Sequence, residues 1–155
     1  EYQTYTSNAI ISEKFKPING YLPTSYYITR ALQYDANATS AIEANTFTFY
    51  YVKDTVHGLY SVEDYIENID STDSNDPSNY SMLESIVGVG NLGSKLTVDV
   101  RSYTGFTHKP DMNTLITYEE NGDEGEIITA ESAFNNIIIE YTGVTVKIYS
   151  SRNEY

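Results

Sequence analysis

The sequence predicts a mainly β protein, and three of its features lead to that prediction. Short runs rich in Tyr, Thr, Val, Ile and Phe recur along the 155 residues. Asn, Asp, Ser, Gly and Pro separate these runs, a pattern typical of strands and turns. Hydrophobic residues make up 40% of the chain, which is enough to bury a core in one ordinary domain or two small ones.

Three runs are the clearest strand candidates, at residues 46–52, 95–100 and 137–149. In the second run, Leu96, Val98 and Val100 alternate with polar residues, so they are predicted to share one buried face. The third run contains Gly143 near its middle, which predicts a bulge or a turn between two strands.

Residues 61–69 fit two interpretations. Val62, Tyr65, Ile66 and Ile69 are spaced as i, i+3, i+4 and i+7, which predicts a short amphipathic helix. The same side chains are aromatic or β-branched and suit a strand equally well. An α+β arrangement therefore stays open beside the mainly β one.

Polar segments divide the chain. Residues 70–79 contain no apolar side chain apart from Pro77 and are predicted to be a solvated loop. Residues 119–126 form a second polar segment, in which Asn121-Gly122 predicts a hairpin turn. Residues 53–58 read as a hinge after a finished strand. We place a domain boundary there, which gives units 1–54 and 55–155.

An internal repeat agrees with that boundary. The tetrapeptides 18–21 and 103–106 share the order apolar or aromatic residue, polar residue, Gly, aromatic residue. Each is followed by a variable stretch and a predicted closing strand, at 47–49 and 144–146. The two units are therefore predicted to be copies of one plan, the second lengthened by acidic loops.

The charge balance excludes some classes of partner. The chain has 9 basic and 22 acidic side chains, a formal net charge of −13. This charge opposes binding to nucleic acids and to anionic lipid, and no run approaches the roughly 18 apolar residues of a membrane helix. We expect no nucleic-acid partner and no membrane insertion. With no Cys, disulfides and thiolate zinc sites are excluded. Because residue 1 is Glu, we expect the chain to be a piece of something longer.

The second unit resembles a known family. Residues 60–70 follow a Tyr-x-Val-Glu-x-Tyr-x-x-Asn-Leu-Asp type of pattern, and residues 102–107 match a Tyr-x-Gly-Phe-x element. Further elements in the family's order occur at 80–84, 90–94, 96–98, 125–130 and 144–153. These motifs are similar to those of the mucin-binding-protein (MucBP)-like and internalin B-repeat-like modules of Gram-positive cell-surface adhesins. The longer acidic loop at 70–79, the insertion at 118–125 and the lack of an obvious first strand in 1–54 depart from the pattern.

The resemblance implies two tandem β-grasp-like repeat modules, the first compact or truncated, and a strand rather than a helix at 60–69. It further implies a non-catalytic, extracellular, cell-wall-attached protein that acts as a stalk, a spacer or an adhesive module. Its partners would be a host glycoprotein, a mucin or another extracellular glycan or protein, together with neighbouring repeats of the same chain. A Lys–Asn isopeptide cross-link is a further hypothesis for such a module.

The residues that could carry enzymatic or metal chemistry are few. His57 and His108 lie in hinge and turn sequence and are predicted to be solvated loop histidines. Asp70, Asp73 and Asp76 do not have the spacing of a calcium loop, so we expect no metal site. The carboxylate pairs at 119–120 and 124–126 lie in a polar turn, which leaves a cryptic hydrolase as the second alternative function. No cofactor is expected.

Tyrosine is the remaining candidate for recognition. The chain has 16 Tyr and no Trp, and exposed Tyr rings offer flat amphipathic faces to sugars or proteins. Tyr26, Tyr27 and Tyr34 are the candidate ligand-binding residues. They would form the aromatic site of a carbohydrate- or mucin-binding module, the first alternative function. The competing role for these tyrosines is cross-strand packing.

Overall fold

The computed structural model describes residues 9–32 and 45–153. The protein is mainly β, with 50% strand and 8% helical residues, and the helical residues of the described part are short 3₁₀ turns. The mainly β prediction is therefore confirmed. Among the described residues, no helical segment is long and apolar enough to cross a membrane.

The chain divides into two compact units. The first comprises Glu1–Lys16 and Pro23–Val52, and the second comprises Pro17–Leu22 and Lys53–Tyr155. The main boundary therefore falls after Val52, while a short segment from the N-terminal part of the sequence belongs to the second unit.

Four short strands occur in the first part of the chain: β1 (Ile10–Lys14), β2 (Tyr21–Pro23), β3 (Tyr27–Ala31) and β4 (Tyr51–Lys53). In the first unit, β1 and β3 form an antiparallel hairpin in which Ile10 pairs with Ala31 and Lys14 pairs with Tyr27. The Tyr51 hydroxyl donates to the Lys16 carbonyl at 2.6 Å.

The strand predicted at 46–52 is mostly absent, since only β4 forms. Backbone carbonyls of this segment accept other donors. Arg30 Nη1 donates to the Thr46 carbonyl at 2.8 Å, and the Thr24 N–H donates to the Tyr50 carbonyl at 2.8 Å. The alternating Thr and Phe residues therefore do not produce a ladder here.

The second unit contains eight strands: β5 (His57–Glu67), β6 (Tyr80–Asn91), β7 (Lys95–Leu96), β8 (Phe106–His108), β9 (Thr114–Tyr118), β10 (Glu124–Thr129), β11 (Ile137–Ile138) and β12 (Val144–Arg152). Six of them form one sheet in the order β10-β9-β12-β5-β6, with β8 beside the C-terminal half of β12. The central pair, β12 and β5, is parallel, and all other pairs in this sheet are antiparallel. β7 and β11 form a separate two-stranded ladder.

The helix interpretation of residues 61–69 is wrong, because most of this segment belongs to β5. β5 is paired along its length with β6 and along seven residues with β12. Those ladders pair the backbone N–H and C=O groups on both sides of the strand. An isolated helix of about nine residues, in contrast, would be only marginally stable. Long-range pairing thus decides between two local patterns that the sequence supports equally.

The main core lies on one face of this sheet. Val144, Val146 and Ile148 of β12 pack with Leu96, Ile137 and Ile139, and Val62 of β5 lies against the same cluster. Val98 packs there too, but Val100 is 41% exposed and the predicted strand 95–100 is limited to Lys95–Leu96. The prediction of one shared buried face is therefore correct for Leu96 and Val98 and wrong for Val100.

The repeated tetrapeptides adopt the same turn. The Tyr21 N–H donates to the Ile18 carbonyl at 3.1 Å, and the Phe106 N–H donates to the Tyr103 carbonyl at 3.0 Å. Gly20 has φ 81° and Gly105 has φ 87°, as the third position of a type II turn requires. Residues 91–94 form the same turn around Gly93. The tetrapeptide thus encodes a turn, and the repetition of whole modules stays a prediction.

Candidate functional site

The structure describes two of the three predicted ligand-binding tyrosines. Tyr27 is the first residue of β3 and Tyr26 directly precedes it, and they are 38% and 37% exposed. The Tyr26 ring packs against Phe15 with a centroid distance of 5.9 Å, and Tyr27 pairs with Lys14 in the β1–β3 ladder. Tyr34 lies outside the described residues. Both described tyrosines are therefore partly exposed, and the Tyr26 ring also has a packing role.

A polar cleft in the second unit is a stronger candidate site. It has a volume of about 550 Å³ and is open to solvent. Three lining residues carry rings: His108, Pro110 and Phe134. The others carry polar groups: the amides of Asn113 and Asn135, the hydroxyl of Ser132 and the carboxylate of Glu131. Flat apolar surfaces next to hydrogen-bonding groups are what a hydroxyl-rich ligand such as a sugar requires.

Local backbone structure positions the wall that contains His108. β8 pairs with β12 so that His108 lies opposite Ser150. The next residue, Lys109, donates its backbone N–H to the Tyr149 carbonyl at 2.8 Å. Pro110 then begins a 3₁₀ turn, Pro110–Met112, where its fixed φ and missing N–H are tolerated. Buried Met112 anchors this turn to the protein.

A second 3₁₀ turn, Glu131–Phe134, supplies other lining residues of the cleft. The Ala130 N–H donates to the Asn113 carbonyl at 3.0 Å, which joins the two lining segments. Ala133 is buried, and Phe134 packs against the main core. The cleft is therefore held by the folded body of the unit on both sides.

His108 and Asn113, two residues of the cleft lining, are hydrogen-bonded to each other. His108 Nε2 lies 2.8 Å from Asn113 Oδ1, and Asn113 is 3% exposed. Because an amide oxygen only accepts hydrogen bonds, His108 Nε2 is the donor in this pair. The prediction of a solvated loop histidine is thus wrong for His108, which ends a strand, is half-buried and is hydrogen-bonded.

His57 is also held in place. It is the first residue of β5, and its Nδ1 lies 2.9 Å from Asp54 Oδ2. Asp54 Oδ1 accepts the backbone N–H groups of Val56 and His57 at 2.8 and 2.9 Å. These two bonds, followed by the side-chain bond from His57, lower the pKa of Asp54 to about 2. The hinge prediction is therefore replaced by a capped turn that starts a strand.

The acidic loop 70–79 uses its carboxylates on its own backbone. Asp73 Oδ1 accepts the Asn75 N–H at 2.9 Å, and Asp76 Oδ1 accepts the Ser78 N–H at 2.9 Å. No group of three or more His, Asp or Glu residues that could hold a metal occurs in the described part of the chain. The carboxylates at 119–126 belong to the exposed β9–β10 hairpin and the start of β10.

One pair of carboxylates lies on neighbouring strands of the sheet, although no sequence motif predicts that these two residues are close. Asp64 of β5 lies directly opposite Glu84 of β6. The Tyr103 hydroxyl donates to Asp64 Oδ2 at 2.8 Å, and Arg101 forms an ion pair with Glu84. Like charges placed directly opposite each other destabilise a ladder. Arg101 and Tyr103 supply a counter-charge and a donor at this point.

Comparison of the chain with family models, with curated proteins and with solved structures finds no match. Function is therefore inferred from the sheet, the cleft and the surface of the protein.

Proposed function

We propose that residues 55–155 form a MucBP-like β-grasp module, a non-catalytic extracellular repeat of a Gram-positive surface adhesin that acts as a stalk, spacer or adhesive unit. The order of strands supports this proposal. The first strand of the sheet, β5, and the last, β12, lie side by side and parallel at its centre. β6 flanks the first strand and β9 flanks the last, both antiparallel. A β-grasp sheet likewise has its first and last strands side by side and parallel at its centre, with the second strand beside the first.

The motifs that carry the family resemblance coincide with elements of this sheet. The pattern at 60–70 begins within β5, and the pattern at 144–153 covers β12. The Gly-containing elements at 90–94 and 102–107 include two of the positive-φ turns. We retain residues 1–54 as a compact or truncated copy of the same module.

The central strand pair favours a mechanical role. Seven register pairs, from Tyr60 with Val144 to Ile66 with Ser150, join β5 to β12. Because the strands are parallel, the start of β5 and the end of β12 lie at opposite ends of the ladder. Tension on the two ends of the module therefore pulls the strands past each other and loads these hydrogen bonds together. A stalk or spacer between a cell wall and a ligand requires such resistance.

Single-molecule pulling tests this role. The chain has no native Cys, so Lys53→Cys and Asn153→Cys create unique handles at opposite ends of the central ladder. A control with Lys53→Cys and Glu140→Cys pulls from one end of the same ladder and separates its bonds one after another. We expect a several-fold higher unfolding force for the first pair of handles. Equal forces in the two geometries would contradict the mechanical role.

The His108 cleft favours one alternative function, a carbohydrate- or mucin-binding module. The combination of His108, Phe134 and two amide side chains supports this alternative better than the packed ring of Tyr26 does. A glycan and mucin array probed with the purified chain, with and without calcium, tests it. Binding that is lost in His108→Ala and Asn135→Ala, but retained in Tyr26→Ala, would assign the ligand to the cleft. If the array shows no binding, the spacer role is the function that remains.

A further inference from the structure

Three polar side chains of the His108 cleft are free to contact a ligand. Glu131, Ser132 and Asn135 line the cleft and are exposed. In the part of the chain that the structure describes, none of these side chains forms a hydrogen bond or an ion pair. In the acidic loop 70–79, by contrast, carboxylates accept backbone N–H groups of the same loop. The carboxylate, hydroxyl and amide of the cleft therefore keep their hydrogen-bonding capacity for a ligand.

Three rings in the same lining supply apolar contact surface. His108, Pro110 and Phe134 are each half-buried, so part of each ring is accessible. Phe134 is fixed because it packs against the main core, and His108 is fixed by its bond to Asn113. A sugar suits this combination, since its C–H groups pack on rings while its hydroxyls require hydrogen bonds. The cleft volume of about 550 Å³ falls within the roughly 300–1,000 Å³ of ligand pockets and can hold a short glycan.

Charge separates neutral sugars from acidic ones at this cleft. Among the described residues that line it, none is Lys or Arg, and Glu131 carries the one formal charge when His108 is neutral. Lys109, the residue after His108, has its Nζ 3.5 Å from Asp111 Oδ2. A sialic acid or a sulfate ester would meet a like charge at Glu131 and the chain's formal net charge of −13. The hydroxyls of a neutral sugar instead donate charge-assisted hydrogen bonds to the Glu131 carboxylate.

We propose that the His108 cleft selects neutral glycans over sialylated and sulfated ones, and that Glu131 is the residue that determines this specificity. Hydroxyls of the sugar donate to the Glu131 carboxylate, Asn135 supplies a second polar contact, and the rings of Pro110 and Phe134 contact its C–H groups. This inference rests on the alternative function proposed above, carbohydrate binding, and names the ligand class of that same cleft.

The test compares sugars that differ in charge. Lactose, N-acetyllactosamine, chitobiose and mannobiose are each printed beside a sulfated derivative, and the first two also beside a sialylated one. The labelled full chain is applied at several concentrations. We expect binding to at least one neutral sugar, and binding weaker by about tenfold or more to its charged derivatives.

A charge reversal tests the assignment to Glu131. In Glu131→Lys, we expect neutral sugars to bind more weakly and sulfated ones to bind about tenfold more tightly than they bind the wild type. Glu124→Lys is the matched control, because it makes the same change of charge on exposed β10, outside the lining. The control should keep the preference of the wild type. Circular dichroism verifies folding, and a folding defect alone would not produce a gain for sulfated sugars.

Four results would overturn the inference. Equal binding of neutral and charged partners would remove the selection by charge and leave carbohydrate binding standing. An equal shift in both Lys variants would assign the selection to net charge, not to Glu131. Neutral binding that persists in folded His108→Ala and Asn135→Ala would place the sugar elsewhere. No binding to any panel sugar would also overturn it, and the carbohydrate-binding function would fall with it only if the glycan and mucin array were equally empty.

Discussion

The two faces of the central strands β5 and β12 are built from different kinds of side chain. On one face Val144, Val146 and Ile148 lie opposite Tyr60, Val62 and Asp64, and the main core covers the aliphatic side chains. On the other face the register pairs are polar or aromatic: Ser61 with Thr145, Glu63 with Lys147, and Tyr65 with Tyr149. The same ladder therefore carries an aliphatic core on one side and a hydrogen-bonded tyrosine cluster on the other.

Tyrosine rings, more than aliphatic side chains, cover the polar face. The Tyr65 ring stacks on Tyr149 at 5.0 Å, and Tyr80 meets Tyr149 edge-on at 5.2 Å. The Tyr65 hydroxyl donates to Glu63 at 3.1 Å, while Tyr118 and Thr145 share a hydrogen bond of 2.6 Å. Tyrosine covers a sheet face with its ring and satisfies buried polar groups with its hydroxyl, which explains its abundance in a chain without Trp.

The largest effect should come from the aliphatic face. Ile148 is 2% exposed in the main core, so Ile148→Ala should lower the free energy of unfolding by about 2–5 kcal/mol, since it leaves a cavity. Urea denaturation measures this loss. Lys147→Ala, the next residue on the opposite face, is the matched control and should cost far less. Equal losses would contradict the assignment of the core to one face.

The tyrosine cluster should give the next effect. Tyr149→Leu keeps an apolar side chain but removes two aromatic contacts. Each such contact contributes about 0.5–1.5 kcal/mol beyond burial, so a loss of about 1–3 kcal/mol is expected. A double-mutant cycle with Tyr65→Leu measures the coupling of the stacked pair. Strictly additive losses would show that stacking contributes nothing.

Crowding between β5 and β6 gives a loss of similar or smaller size. A Cβ at Gly88 would overlap the Tyr60 ring, so Gly88→Ala should cost about 1–3 kcal/mol through overpacking. Gly125→Ala on β10, where the nearest atom to a new Cβ is Glu119 Cγ at 3.4 Å, is the control and should be nearly neutral. Tyr60→Leu should reduce the penalty at Gly88, and a penalty unchanged by it would argue against the ring as its cause.

Alkaline pH should weaken the packing of the buried tyrosines. Burial, followed by nearby carboxylates, raises the pKa of Tyr80 to about 12. Burial, then the bond to Asp64, raises the pKa of Tyr103 to about 12. Burial also raises the pKa of Tyr65. A raised pKa means that the folded state favours the neutral phenol, so this stability is complete below about pH 10 and is lost as the pH rises toward 12. Ultraviolet absorbance of tyrosinate in wild type and Tyr80→Phe measures the late titration.

The smallest effect concerns the turn before β5. The lowered pKa of Asp54 means that its carboxylate stabilises the folded state above the unfolded pKa of about 3.9. That contribution is lost as the pH falls through about 2. Asp54→Asn should therefore destabilise the protein at neutral pH and converge with wild type in acid. Thermal unfolding at several pH values measures this difference, and a constant difference at all pH values would contradict it.

Turns and polar loops are the features that could be predicted from the sequence alone. Gly122 and Gly143 have positive φ, in agreement with the hairpin turn predicted at 121–122 and the bulge or turn predicted at Gly143. The loop 70–79 is solvent-facing over most of its length, as its composition predicts. These features depend on a few neighbouring residues whose backbone preferences and side-chain hydrogen bonds act locally.

Tertiary structure decided the choice between helix and strand at 61–69, the shortening of the strand at 46–52 and the assembly of the His108 cleft. Each depends on partners distant in sequence, as when Val144 pairs with Tyr60 or Asn113 joins Ala130. The sequence by itself therefore determined a mainly β chain, its acidic loops and its turns. Tertiary pairing decided which strand is central, which strands form the edges and which polar groups meet, because a ladder is satisfied only by both of its strands.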